Sequence, residues 1–140
     1  MRGGFTILEL SAVLAIMALL TASAVPGYTL LVDRARTDEA RTMLETVAHA
    51  EQRAFRDTGH YVACPPVGPV PTGAVPFPAA TCWQALNLRV DGPVRFRYGV
   101  VLDAATFVAT AEGDLNADGV PSLFSLSGAD MTLTIRDELE

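Results

Sequence analysis

The stretch from Phe5 to Val25, FTILELSAVLAIMALLTASAV, constrains this chain more than any other feature: twenty-one residues carry one ionisable side chain, Glu9. As a helix it extends about 31 Å at 1.5 Å per residue, the thickness of a bilayer core. Such a segment accounts for a chain of 140 residues, otherwise one small module, being 50% apolar. A secretory signal peptide fits the basic Arg2, the apolar centre and the small residues Ala22-Ser23-Ala24, with cleavage before Val25. A plain single-span anchor fits the length equally well. Neither explains Glu9, because a carboxylate in hydrocarbon costs about 2.5 kcal/mol or more and no cation lies within the segment to pair with it.

A third reading has another molecule satisfy Glu9. Gly3-Gly4-Phe5-Thr6-Ile7-Leu8-Glu9-Leu10 resembles the processing motif of type IV pilins and pseudopilins: a short basic leader ending in Gly, Phe at the new N-terminus, and Glu at its fifth position. Pro26 and Tyr28 fall where many members have a helix-bending proline and an aromatic residue. The resemblance covers about the first thirty residues, with Ile7-Leu8 inverting the usual order. It implies that a membrane-embedded prepilin peptidase cleaves after Gly4 and methylates the Phe5 amine, leaving residues 1–4 as leader and 5–27 as the membrane and assembly helix. That amine on an incoming subunit can pair with Glu9 of its neighbour, neutralising two charges that are costly alone and fixing axial register.

Beyond Pro26 the residues Ala40, Met43, Leu44, Val47, Ala50, Ala54 and Phe55 recur at helical spacing. They predict an amphipathic helix over 28–59 that stops at Gly59. Pro26 removes one backbone hydrogen bond, so a kink or brief melting is expected there, with the helix continuing beyond it.

Residues 60–91 read as a loop: Pro65, Pro66, Pro69, Pro71, Pro76 and Pro78 lie between Cys64 and Cys82. A Cys64–Cys82 disulfide would tether it, contributing about 3 kcal/mol in the chain-entropy model and requiring an oxidising compartment. A zinc site using His60 with both cysteines lacks a fourth clustered ligand, and a redox pair lacks the Cys-x-x-Cys spacing. Residues 92–140 turn to period two, with Val94, Phe96, Tyr98 and Val100 alternating with Arg95, Arg97 and Gly99. Further strands are expected at 106–111, 122–126 and 131–135, with a hairpin at Asp103-Ala104-Ala105. The expected fold is α+β: a long N-terminal helix, apolar then amphipathic, packed on an antiparallel sheet of about four strands, the pilin-like arrangement that the resemblance also implies.

One motif carries possible chemistry. Asp114-Leu115-Asn116-Ala117-Asp118-Gly119-Val120 follows the first half of a calcium loop, with oxygen side chains at positions one, three and five, Gly at six and the Val120 carbonyl at seven. Position twelve is Ser125, not Glu, and no helices flank the loop, so it is not an EF-hand; an acidic turn is the competing explanation. Calcium is therefore the one cofactor the residues admit. His49 and His60 have no spacing to a nucleophile, no phosphate loop or dinucleotide fingerprint occurs, and Trp83 beside Cys82 reads as core packing, so no enzyme is expected.

Ten arginines, no lysine and sixteen acids give a net charge of -6, which argues against direct nucleic-acid binding. Taken together, the resemblance implies a structural subunit stored in the inner membrane as precursor and then polymerised into an extracellular filament on a bacterial surface. Its implied partners are further copies of itself, the prepilin peptidase and the inner-membrane assembly machinery, and its implied roles are motility, adhesion or DNA uptake. Rivals are a type II secretion pseudopilin, a minor pilin, and, from another class, a single-span periplasmic enzyme or binding module.

Overall fold

The computed structural model describes residues 6–136, apart from the side chains at positions 25–27, 29, 30 and 33. Helix α1 runs Ile7–Thr58 and is assigned as helix through Pro26, so the helix does not melt there. Two units divide the chain, residues 1–35 and residues 36–140.

In the first unit, the helical residues from Ile7 to Ala24 are long and apolar enough to cross a membrane, and none is buried. Within 36–140, α1 turns a stripe of Ala40, Leu44, Val47, Ala48 and Ala50 into the core. Met43 and Ala54 flank it, as the 3.6-residue period predicts. Phe55 lies at its margin, 44% exposed and stacked on Tyr61 with ring centroids 4.5 Å apart. Gly59, at φ +78°, ends the helix by donating its N–H to the Phe55 carbonyl at 2.8 Å, the left-handed cap that glycine adopts without strain.

The sheet has the order β3-β4-β5-β6, antiparallel throughout: β3 Arg97–Asp103, β4 Thr106–Gly113, β5 Ser122–Ser127 and β6 Leu133–Arg136. The first hairpin turns at Ala104-Ala105, with Asp103 opposite Thr106. On the buried face, Tyr98 and Val100 of β3 sit opposite Ala111 and Ala109 of β4, and Phe124 and Leu126 of β5 oppose the same two alanines. Small residues on the inner strand leave room for the aromatic rings beside them and for the alanine-rich helix stripe in the same core.

Two expectations need correction. The alternating run from Val94 to Val100 is not one strand: β2 Pro93–Val94 pairs with β1 Val75–Pro76, and the chain bends at Arg95 and Phe96 before β3. The cause is Glu39 of α1, whose Oε1 accepts the Arg95 N–H at 2.8 Å while Oε2 takes the Arg95 guanidinium at 3.0 Å. Pro76 opposite Pro93 supplies no N–H on either side, which limits that small ladder. The fourth strand starts at Leu133, later than Met131, because Met131 sits at φ +58° in the turn from β5, its N–H donated to the Ser127 carbonyl.

The proline-rich segment also carries a short helix, α2 Thr81–Ala85, in the stretch after its last proline. Its start is held by Glu51 of α1, a fully buried residue whose Oε2 accepts the Val62 N–H at 2.9 Å while Oε1 has no partner. Burial pushes the Glu51 carboxyl above the usual carboxylate range, and the Val62 N–H works the other way. A carboxyl raised on folding holds its proton more tightly in the native chain, so its contribution is full below the ordinary glutamate pKa, about 4.3, and is lost as pH rises through the raised value. The melting temperature of the wild type relative to Glu51→Gln should therefore fall as pH is raised from about 4 to 7; a difference that stays constant across that range would contradict this account of Glu51.

Candidate functional site

At the N-terminus the sequence Thr6-Ile7-Leu8-Glu9 forms a capping box. The Thr6 N–H and hydroxyl both donate to Glu9 Oε2, at 2.9 and 3.0 Å, and the Glu9 N–H donates back to Thr6 Oγ1 at 3.2 Å. Thr-x-x-Glu ahead of an apolar run is the known signature of this motif, a signal the sequence reading passed over. The reciprocal bonds satisfy donors that a helix start leaves bare, and a carboxylate there also faces the positive end of the helix dipole.

The other hydroxyls of the apolar segment are satisfied in the same helix. Ser11 donates to the Leu8 carbonyl at 2.9 Å, Thr21 to Met17 at 2.7 Å and Ser23 to Leu20 at 2.9 Å. A helix whose side-chain hydroxyls return to its own carbonyls can enter lipid without stranding a donor. Glu9 Oε2 and the Glu9 N–H are thus bonded within the chain, while a negative charge on the carboxylate has no cation among these contacts. Gly4 and Phe5, the expected processing residues, lie outside the described residues, as does the side chain of Pro26.

Cys64 and Cys82 are joined in a disulfide, with Cα atoms 5.6 Å apart. That removes both sulfurs from the zinc alternative with His60. Cys64 also exchanges two backbone hydrogen bonds with Val100, donating at 2.9 Å and accepting at 2.6 Å, so the bridge links the outer edge of β3 to α2. Trp83, next to Cys82, is 3% exposed in the core with Phe77 at 5.3 Å, the packing role its position suggested. Close approach adds a second fastening: a Cβ on Gly99 would stand 2.6 Å from Pro66 Cδ, so the loop lies directly against β3.

The acidic turn 114–121 connects β4 to β5. Asp114 Oδ2 accepts the Gly119 N–H at 3.1 Å, Asp118 Oδ1 accepts the Val120 N–H at 2.7 Å, and Asn116 Nδ2 donates to Asp118 Oδ2 at 2.8 Å. Asp114, Asn116, Asp118 and Val120 are therefore brought to one turn. Ser125, at the twelfth position, is paired with Thr110 inside the sheet. Among the described residues no three His, Cys, Asp or Glu side chains group as metal ligands.

One feature escaped the sequence. A groove of about 480 Å³ lies along α1 and is lined by Asp38, Thr42, Thr46, Val90, Val94 and Tyr98. The Tyr98 hydroxyl is buried with no partner, and burial, with Glu39 adding to it, raises its pKa above the ordinary tyrosine value. Nothing in an alternating strand pattern marks one buried tyrosine as unpartnered.

No family model, no curated protein and no solved structure matches this chain.

The disulfide yields a direct test. Unreduced, alkylated protein should carry no label on Cys64 or Cys82, and replacing both by serine should lower unfolding free energy by about 2–4 kcal/mol in denaturant titrations. Two alkylated thiols, or an unchanged midpoint in the double variant, would contradict the tethering role.

Proposed function

We propose that the chain is the precursor of a type IV pilin-like structural subunit, processed between Gly4 and Phe5 and polymerised through its N-terminal helix. One observation carries the reading: the helical segment Ile7–Ala24 is apolar and unburied and holds a carboxylate, Glu9, in its first turn, four positions after Phe5. An apolar helix left bare needs lipid or other apolar helices around it. A filament formed by repeating one head-to-tail contact supplies the latter. In that assembly the Phe5 amine of one subunit meets Glu9 of the next, and the two charges neutralise each other away from water. The head fits the same reading, since its disulfide and the fastening of loop 60–91 suit a domain exposed to an oxidising exterior.

The capping box favours a second reading, a plain single-span anchor carrying a periplasmic module. Thr6 and Glu9 satisfy each other within one chain, so a glutamate at this position has a local use without any filament. The two readings part at the N-terminus. Intact mass and N-terminal sequencing of membrane-extracted protein should begin at Phe5, with a methyl group on the amine, and a bulky residue in place of Gly4 should leave precursor in the membrane. Retention of Met1 would favour the plain anchor, and a mature start at Val25 would restore the secretory signal.

A further inference from the structure

Among the described residues, the groove along α1 carries a carboxylate and a buried hydroxyl that the fold leaves unpaired. Two carboxylates line it, Asp38 and Glu39. Glu39 is engaged by the Arg95 N–H and guanidinium, at 2.8 and 3.0 Å, so its charge is already balanced. Asp38 is exposed and makes no hydrogen bond or ion pair among the described residues. Tyr98, 2% exposed, lines the same groove, and its hydroxyl is buried without a partner. A buried hydroxyl left bare is costly until something bonds it, and native structures hold few of them. Met43, Val90 and Val94 supply apolar surface to the lining, which includes no Arg, Lys or His. At about 480 Å³ the groove falls in the size range of small-molecule sites, about 300–1,000 Å³.

We propose that this groove binds a small organic cation, a single primary ammonium on an apolar stem, with Asp38 pairing its charge, Tyr98 Oη accepting one of its N–H donors and Met43, Val90 and Val94 packing on the stem. The lining selects this chemistry in three ways. A lining with carboxylates and no basic side chain repels anions. With Glu39 neutralised by Arg95, one unpaired carboxylate matches one positive charge. An ammonium carries three donors, so it can serve a carboxylate and a hydroxyl oxygen together, which a neutral alcohol does less well. An arginine from a second copy is the competing occupant, and the net charge of -6 on each chain opposes that approach. The groove lies within residues 36–140, so the site stands whether or not the chain forms filaments.

The test uses the full chain in lipid nanodiscs, isotope-labelled for amide NMR, with phenethylamine as the probe. The Thr42, Val90 and Val94 amide resonances should shift saturably with Kd about 10⁻³ M, while neutral phenethyl alcohol and anionic phenylacetate bind at least about 3-fold more weakly. Asp38→Asn should weaken the amine about 3–10-fold and leave phenethyl alcohol unaffected. Tyr98→Phe should weaken the amine by a similar factor, and because it removes a bare hydroxyl, the ligand-free melting temperature should hold or rise. A clear fall in that melting temperature would show the hydroxyl bonded within the fold and overturn the site. Absence of saturable shifts up to about 20 mM amine, equal binding of the alcohol, or binding unchanged in both variants overturns it too. Shifts of the same amides on concentrating the protein alone would place a second copy in the groove, and that result also overturns the proposal.

Discussion

One imbalance dominates the molecule: among the described residues, the apolar helix segment Ile7–Ala24 is left unburied. Leu10, Leu14, Ile16, Leu19 and Leu20 are each more than half exposed, and burying side chains of this size is worth about 1.5–3 kcal/mol apiece. The segment is long and apolar enough to cross a membrane, and lipid or neighbouring helices would supply that burial. Its polar side chains bond within the helix: Thr6 and Glu9 cap its start, and Ser11, Thr21 and Ser23 return to carbonyls of their own helix. What is left over is the charge on Glu9, the one property of the segment that neither lipid nor the capping box neutralises.

Residues 36–140 solve an independent problem, that of holding thirty residues of proline-rich chain against a small sheet. Four fastenings do it along the loop. Glu51 takes the Val62 N–H, Cys64 pairs with Val100, Arg97 donates to the Gly68 carbonyl, and the Pro71 carbonyl takes the Asp114 N–H. The disulfide then joins Cys64 to α2 and the core around Trp83. Each fastening uses a backbone group of the loop, so outside its two short elements, β1 and α2, the segment is fixed by scattered bonds and not by a continuous ladder.

Periodicity made the long-range plan of the chain readable. The stripe Ala40, Leu44, Val47 and Ala50, the stop at Gly59, the turn at Ala104-Ala105 and three of the four main strands follow from spacing and turn chemistry alone, and the cysteine pair from its proline-rich loop. The missed features share a cause: a polar atom finds its partner far away in sequence. Glu39 breaks the strand at Arg95 across 56 positions. Glu51 reads as one more charge on a helix until the Val62 N–H appears beside it. The capping box is different, since Thr6-x-x-Glu9 is a purely local pattern that the sequence carries in full. The buried, unpartnered Oδ1 of Asp114 could not be read at all, because a turn pattern names oxygens without saying which of them folding buries.

The capping box also sharpens the test of the filament. Alanine at position 9 removes both the charge and the cap, whereas glutamine keeps the capping-box pattern and removes the charge alone. The decisive measurement is filament yield from cells producing only Glu9→Gln, with processing and subunit abundance monitored alongside. If Glu9 pairs with a neighbour's Phe5 amine, the variant is cleaved and accumulates normally but does not assemble, since the amine is left buried and unpaired at about 3–5 kcal/mol per contact. Normal filaments from the glutamine variant, or no filaments from the wild type under any condition, would contradict the pairing and leave Glu9 as a helix cap.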